Sequence, residues 1–180
     1  MAQKKGYDIF GVITCALICA LGGGTIREIL LNSLPAYFIH YEYWLCVLAG
    51  VIFSIIYFNN FEKINFWMLI IDAIGLVTFA YIGASRAAGA HLGFFGVIIF
   101  SVLTAVGGGV LRDIVMRETP IIFYQDVYAT PAFLFGVVYY FLQDRAQIPW
   151  VLYSLLAAVL ALRIIVIKYH LQLWKPHSVN

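Results

Sequence analysis

The sequence predicts an all-α integral membrane protein built from two inverted-topology three-helix repeats with glycine-broken helices, plus one extra C-terminal helix. Three observations predict it. First, the 180 residues are 63% hydrophobic and only 11% charged, with a mean hydropathy of +0.93. A soluble domain carries about 25% charged residues, so there is too little polar surface here to cover a water-soluble globule. Second, long apolar runs alternate with short polar breaks, and a bilayer admits such runs as helices, which satisfy their own backbone groups. Third, the triplet Gly22, Gly23 and Gly24 in ALGGGTIRE returns as Gly107, Gly108 and Gly109 in AVGGGVLRD, 85 residues later. Each triplet is followed at the same distance by an arginine and an acid.

Six spans follow in order, at about residues 7–34, 43–58, 66–88, 92–116, 127–142 and 150–169. The first starts just after Lys4 and Lys5, as a signal peptide does. It ends in GGGTIREILL rather than at a small-residue cleavage site, so it reads as a membrane helix. The first and fourth spans hold the triplets, and the third holds Asp72. With the N-terminus inside, Lys4, Lys5, Lys63, Arg117, Lys168 and Lys175 fall on the inner side, against Arg86 and Arg145 outside. This excess favours both termini in the cytoplasm. The net charge of +2 and the lack of a basic stretch with stacking aromatics give no support for a nucleic-acid partner. The bilayer is the expected partner.

Residues 10–35 and 95–120 are identical at 11 of 26 positions. Three helices separate the starts of the two copies, so the copies cross the membrane in opposite directions, an inverted repeat. The chain reads as a single domain over 1–180: repeat one 1–60, repeat two 64–144 and an extra helix 149–170. The third span opens the second copy and has no counterpart in the first, so the register leads to the expectation of an upstream helix of about 20 residues.

Glycine weakens a helix by roughly 1 kcal/mol relative to alanine, so a triplet predicts a break. Carbonyls freed at a break, together with the negative ends of half-helices, suit a dehydrated monovalent cation. Close helix packing is the competing reading for such small residues. A dinucleotide loop is excluded, because neither triplet has G-x-G-x-x-G spacing between a strand and a helix. Thr25, Ser101 and Thr104 stand beside the triplets, where their hydroxyls could serve as ion ligands or back-bond to helix carbonyls.

A charge at bilayer depth costs on the order of 3 kcal/mol, so Arg27, Glu28, Arg112, Asp113 and Asp72 are expected to face protein or a wet path. Sequence neighbours on a helix point about 100° apart, and the pseudo-symmetry suggests clamps of Arg27 with Asp113 and Arg112 with Glu28. Asp72 is read as a cation attractor at one mouth or as a helix cap. Arg163 is read as snorkelling. Cys15, Cys19 and Cys46 read as small buried hydrophobes, and the spacing of His40, His91, His170 and His177 offers no metal site. No catalytic constellation emerges, so the chain is not read as an enzyme, and no cofactor is expected beyond potassium or sodium as the permeant ion.

GGGTIREILL, GGGVLRDIV, DAIGLVTFAYIGASRA and YATPAFLFGVVYYFL resemble bacterial members of the trimeric intracellular cation (TRIC) channel family, whose domain also carries the label bacterial glycine transporter. The resemblance implies seven helices, a homotrimer in a bacterial or archaeal plasma membrane, and one ion pathway per protomer lined by the glycine-broken helices. It implies potassium permeation. It matches both triplets, Arg27, Arg112, Asp113 and Asp72 to family motif positions, and Glu28 stands where the family usually has Asp. The first family helix has no counterpart in this chain, which agrees with the gap in the repeat. The expected function is a passive cation channel; the alternatives are a secondary transporter of a small amino acid such as glycine and a non-conducting structural membrane protein.

Overall fold

The computed structural model describes residues 2–57, 65–123, 127–146, 148–169 and 171. Six α-helices and no strand occur among them: α1 Ile9–Leu30, α2 Glu42–Ile56, α3 Asn65–Gly89, α4 Phe94–Val115, α5 Thr130–Leu142 and α6 Pro149–Tyr169. Lys63, Lys175, His170 and His177, used above, lie outside the described residues.

At 1.5 Å per residue, α1, α3, α4 and α6 are each more than about 30 Å long, enough to cross the hydrocarbon core. The helices α2 and α5, with 15 and 13 residues, reach only about 20–23 Å and are shorter than the expected spans. The residues before each of them are spent on a 3-10 turn, Ala36–Phe38 and Ile121–Phe123, placed 85 positions apart. Each turn is set by a proline whose carbonyl accepts the closing bond: Phe38 N donates to Pro35 O and Phe123 N to Pro120 O.

The repeat is visible down to the helix ends. Helix α1 closes with Ser33 N donating to Glu28 O and Asn32 N to Ile29 O, with Asn32 at φ 51°. Helix α4 closes with Glu118 N donating to Asp113 O and Arg117 N to Ile114 O, with Arg117 at φ 54°. These are two copies of the Schellman cap, each with a non-glycine residue in the left-handed position. The same motif ends α3 at His91, φ 57°. Its register mate is the turn Ala2–Lys5, where Gly6 N donates to Gln3 O and Tyr7 N to Ala2 O, with Gly6 at φ 74°.

The core lies in the second half. Leu76, Ala80 and Ala84 of α3 pack with Val97 of α4, Phe135 of α5 and Val159 of α6. The first half is more open. On α4, the backbone at Phe100 and the side chain of Thr104 are covered by Gly83 of α3. Their register mates on α1 are Cys15 and Cys19, and these line an open cavity of about 800 Å³ bordered by α1, α2 and α3. Cys15 is buried, Cys19 half-buried and Cys46 exposed, so Cys46 is not the small buried hydrophobe expected. The outer faces of α2 and α6 carry Trp44, Leu48, Ile52, Trp150 and Tyr153, as a lipid-facing surface would.

Candidate functional site: the glycine crossing and its charges

Neither triplet interrupts its helix, so the expected breaks are corrected: α1 runs unbroken through Gly22, Gly23 and Gly24, and α4 through Gly107, Gly108 and Gly109. The physical reason is packing. The two helices cross at the triplets so closely that a Cβ built on Gly108 would lie 2.1 Å from Cys19 O, and one on Gly23 would lie 2.4 Å from Thr104 O. A Cβ on Gly22 would meet Leu111, and one on Gly107 would meet Ile26. Every one of these contacts has its mate under the 85-residue shift, which defines a pseudo-two-fold relation between α1 and α4. Backbone contact of this kind offsets the poor helix propensity of glycine.

The third glycine of each triplet behaves differently. Gly24 and Gly109 have free space where a Cβ would project, the nearest group to Gly24 being the Arg27 guanidinium at 3.9 Å. Both line a second cavity of about 110 Å³, together with Gly23, Gly108, Thr104 and Asp72. That is room enough for water. Cys19, Gly24, Asp72 and Arg112 line this cavity and the large one alike, so the two adjoin. Gly22 and Gly107 are confined to the helix contact.

The hydroxyls divide. Thr104 faces the small cavity, buried and with no hydrogen-bond partner for its Oγ1 among the described residues. Thr25 Oγ1 donates to Leu21 O at 2.8 Å and meets Tyr37 Oη at 3.0 Å. Ser101, fully buried, donates to Ala132 O at 2.8 Å and ties α4 to α5. Neither Thr25 nor Ser101 lines either cavity. Replacing Ser101 with alanine is therefore expected to lower stability by about 1 kcal/mol through the lost bond, which thermal unfolding in detergent checks.

The charges pair locally, which corrects the expected Arg27–Asp113 and Arg112–Glu28 clamps. Arg27 Nε and Nη2 donate to Glu28 Oε1 at 2.9 and 2.6 Å. Arg112 Nε and Nη2 donate to Asp113 Oδ1 at 2.8 and 2.6 Å. The second oxygen of each carboxylate is held by other elements: Glu28 Oε2 by Ser33 and by Arg86 at 2.9 Å, Asp113 Oδ2 by the backbone N–H of Ile121 at 3.1 Å. Glu28 and Asp113 are 2% and 1% exposed. The 100° step between neighbours is bridged because arginine is long enough to fold back onto an acid fixed by the capping loop. The cross-repeat pairs fail because α1 and α4 run in opposite senses. Past their crossing, Arg27 and Asp113 move to opposite ends, about 6 and 8 Å along their axes. Arg112 instead reaches back along α1, its Nη1 3.6 Å from Cys19 Sγ.

Asp72 lies inside α3, beyond its first turn, so it does not cap the helix. Its Oδ1 accepts from Tyr128 Oη at 3.4 Å, and Oδ2 lies 3.9 Å from Arg163 Nη2. Arg163, expected to snorkel, is instead 1% exposed. Tyr128, Ser33 and Gly83 carry no site role in the sequence, and Arg163 and Arg86 only those of a snorkelling residue and an outside charge. For Arg163 a signal existed, an ionisable residue within the run ALALRIIV; for Gly83, a lone glycine in a span, none did.

A family model described as Glycine transporter matches residues 1–59 and 69–144 of the chain. The chain belongs to this family. Among relatives of this glycine transporter family member, the UPF0126 inner membrane protein YadS of Escherichia coli K12 is 32% identical over 177 residues, spanning 96% of this chain and 86% of YadS. The UPF0126 membrane protein YvgT of Bacillus subtilis is 32% identical over 140 residues, covering 77% of this chain and 69% of YvgT. A structure described under conductance through TRIC cation channels superposes with a TM-score of 0.91 at 34% identity, covering 99% of this chain and 89% of that one. A prokaryotic TRIC channel crystallised in 0.5 M KCl gives 0.84 at 34% identity, covering 96% and 88%. The all-helical TRIC fold is thus the fold of this chain, and its solved relatives are channels rather than enzymes.

Proposed function

We propose that this protein is a passive channel for monovalent cations, potassium among them, with a path in each protomer beside the crossing of α1 and α4. The observation that carries the reading is the water-sized cavity lined by Gly24, Gly109, Thr104 and Asp72, at the pseudo-symmetric contact of two inverted helices in a fold shared with TRIC cation channels. The Thr104 hydroxyl and the Asp72 carboxylate on its wall suit a hard monovalent cation that enters readily and leaves readily. The proposal includes a homotrimer in a bacterial inner membrane with both termini cytoplasmic. The family model's description keeps glycine as the rival substrate.

Reconstitution of the purified protein in liposomes separates the readings. A potassium gradient is expected to collapse at channel rates without a co-substrate. Saturable glycine uptake with no potassium conductance would replace the channel with a transporter, and liposomes tight to both would leave a structural role.

A further inference from the structure

We propose that Arg163 of α6 is the fixed counter-charge of the cation path, setting how strongly Asp72 attracts cations at its mouth. The inference rests on the channel reading above and adds a residue on a helix outside the repeat.

Four observations meet at this place. Arg163 is 1% exposed in an apolar helix, an arrangement that costs free energy and is retained in membrane proteins chiefly at functional positions. Its guanidinium makes one hydrogen bond, Nη1 to Val127 O at 3.0 Å, while Nε and Nη2 have no hydrogen-bond partner among the described residues. Val127, β-branched, sits at φ 57°, a strained conformation that persists only when its surroundings hold it. The next residue, Tyr128, lays its ring face 4.8 Å from the guanidinium carbon and donates its hydroxyl to Asp72.

The geometry is layered. Arg163 stands behind, Tyr128 and Asp72 in front, and both front residues line the cavity. The Asp72 side chain is 45% exposed while that of Arg163 is 1% exposed. The carboxylate is therefore open to an arriving ion, and the positive charge that opposes it is out of the ion's reach. A cation at the mouth meets Asp72 weakened by Arg163, with Arg112 on the same wall. Weak binding favours throughput, because an ion held too tightly does not leave. Arg163 touches Asp72 and Tyr128 rather than the path, so it acts as a positioning and field-setting residue.

The test is a comparison of Arg163→Gln, Arg163→Lys and Asp72→Asn with the native protein in planar bilayers, at 0.1 M and 1 M KCl. An unopposed charge several ångströms from the ion changes local cation concentration on the order of threefold. The Gln variant is therefore expected to raise cation-over-anion selectivity on the order of threefold at 0.1 M. The change should shrink at 1 M, where the Debye length falls from about 10 to about 3 Å. Lys should stay close to native, and Asp72→Asn should move selectivity the opposite way. A Gln effect equal at both salts, or shared by Lys, would mean a packing role and overturn the inference. Native-like selectivity in the Gln variant also overturns it and leaves the channel reading standing, whereas a silent native protein removes both. If the Gln variant fails to fold, the comparison of Lys with Asp72→Asn decides: Lys unlike native, or Asp72→Asn like native, refutes it.

Discussion

Gly108→Ala is expected to cost on the order of 3 kcal/mol and to abolish the folded protein or lower its melting temperature steeply, whereas Gly109→Ala, one residue on, should fold normally. The reason is where each Cβ would project. At Gly108 it would lie 2.1 Å from the carbonyl oxygen of Cys19, backbone against backbone, so the helices must separate. Overpacking typically costs 1–3 kcal/mol where a side chain can yield, and a carbonyl within a helix yields least. At Gly109 no atom lies within 4 Å, and the added methyl projects toward the water-sized cavity. Gly23→Ala should repeat the first behaviour, with Thr104 O at 2.4 Å, and Gly24→Ala the second. Thermal unfolding in detergent reads the stability difference and potassium flux in liposomes reads the path. Equal stability of the Gly108 and Gly109 variants would show that the helices do not cross as closely as described.

The second large effect concerns the buried acids. Glu28→Gln should destabilise by about 3–5 kcal/mol, because it leaves Arg27, itself buried, without its counter-charge. The pairing is best read by double-mutant cycles. Arg27 with Glu28, and Arg112 with Asp113, should each show coupling on the order of 1–3 kcal/mol, while Arg27 with Asp113 should couple within about 0.5 kcal/mol. Exchanging Arg27 and Asp113 should accordingly give no rescue. Coupling across the repeats comparable to coupling within them would contradict the observed ion pairs. Arg86, half exposed at the far side of Glu28, should matter much less, as solvent screens its pairing.

Much of this was legible in the residues. The 85-residue register located the triplets, the charge pairs and the prolines of the two 3-10 turns, because local backbone chemistry repeats wherever sequence repeats. It did not reveal Arg163, since α6 stands outside the repeat and its partners Asp72 and Val127 are 91 and 36 positions away. Nor did it separate the three glycines of a triplet, which are identical in composition and differ only in whether they lie on the side of their helix that meets the partner helix, α4 for the first triplet and α1 for the second.

The sequence by itself determined the membrane class, the helices, the inverted repeat and the two matching glycine triplets, since hydropathy, glycine and proline act locally. Only the tertiary structure decided that the triplets pack rather than break, that each arginine turns to its own neighbour, and that Gly24 and Gly109 face open space. Those outcomes depend on how α1 and α4 cross. Opposite helix directions carry charges past the crossing away from each other, and a one-residue step rotates a side chain by about 100° from contact to cavity.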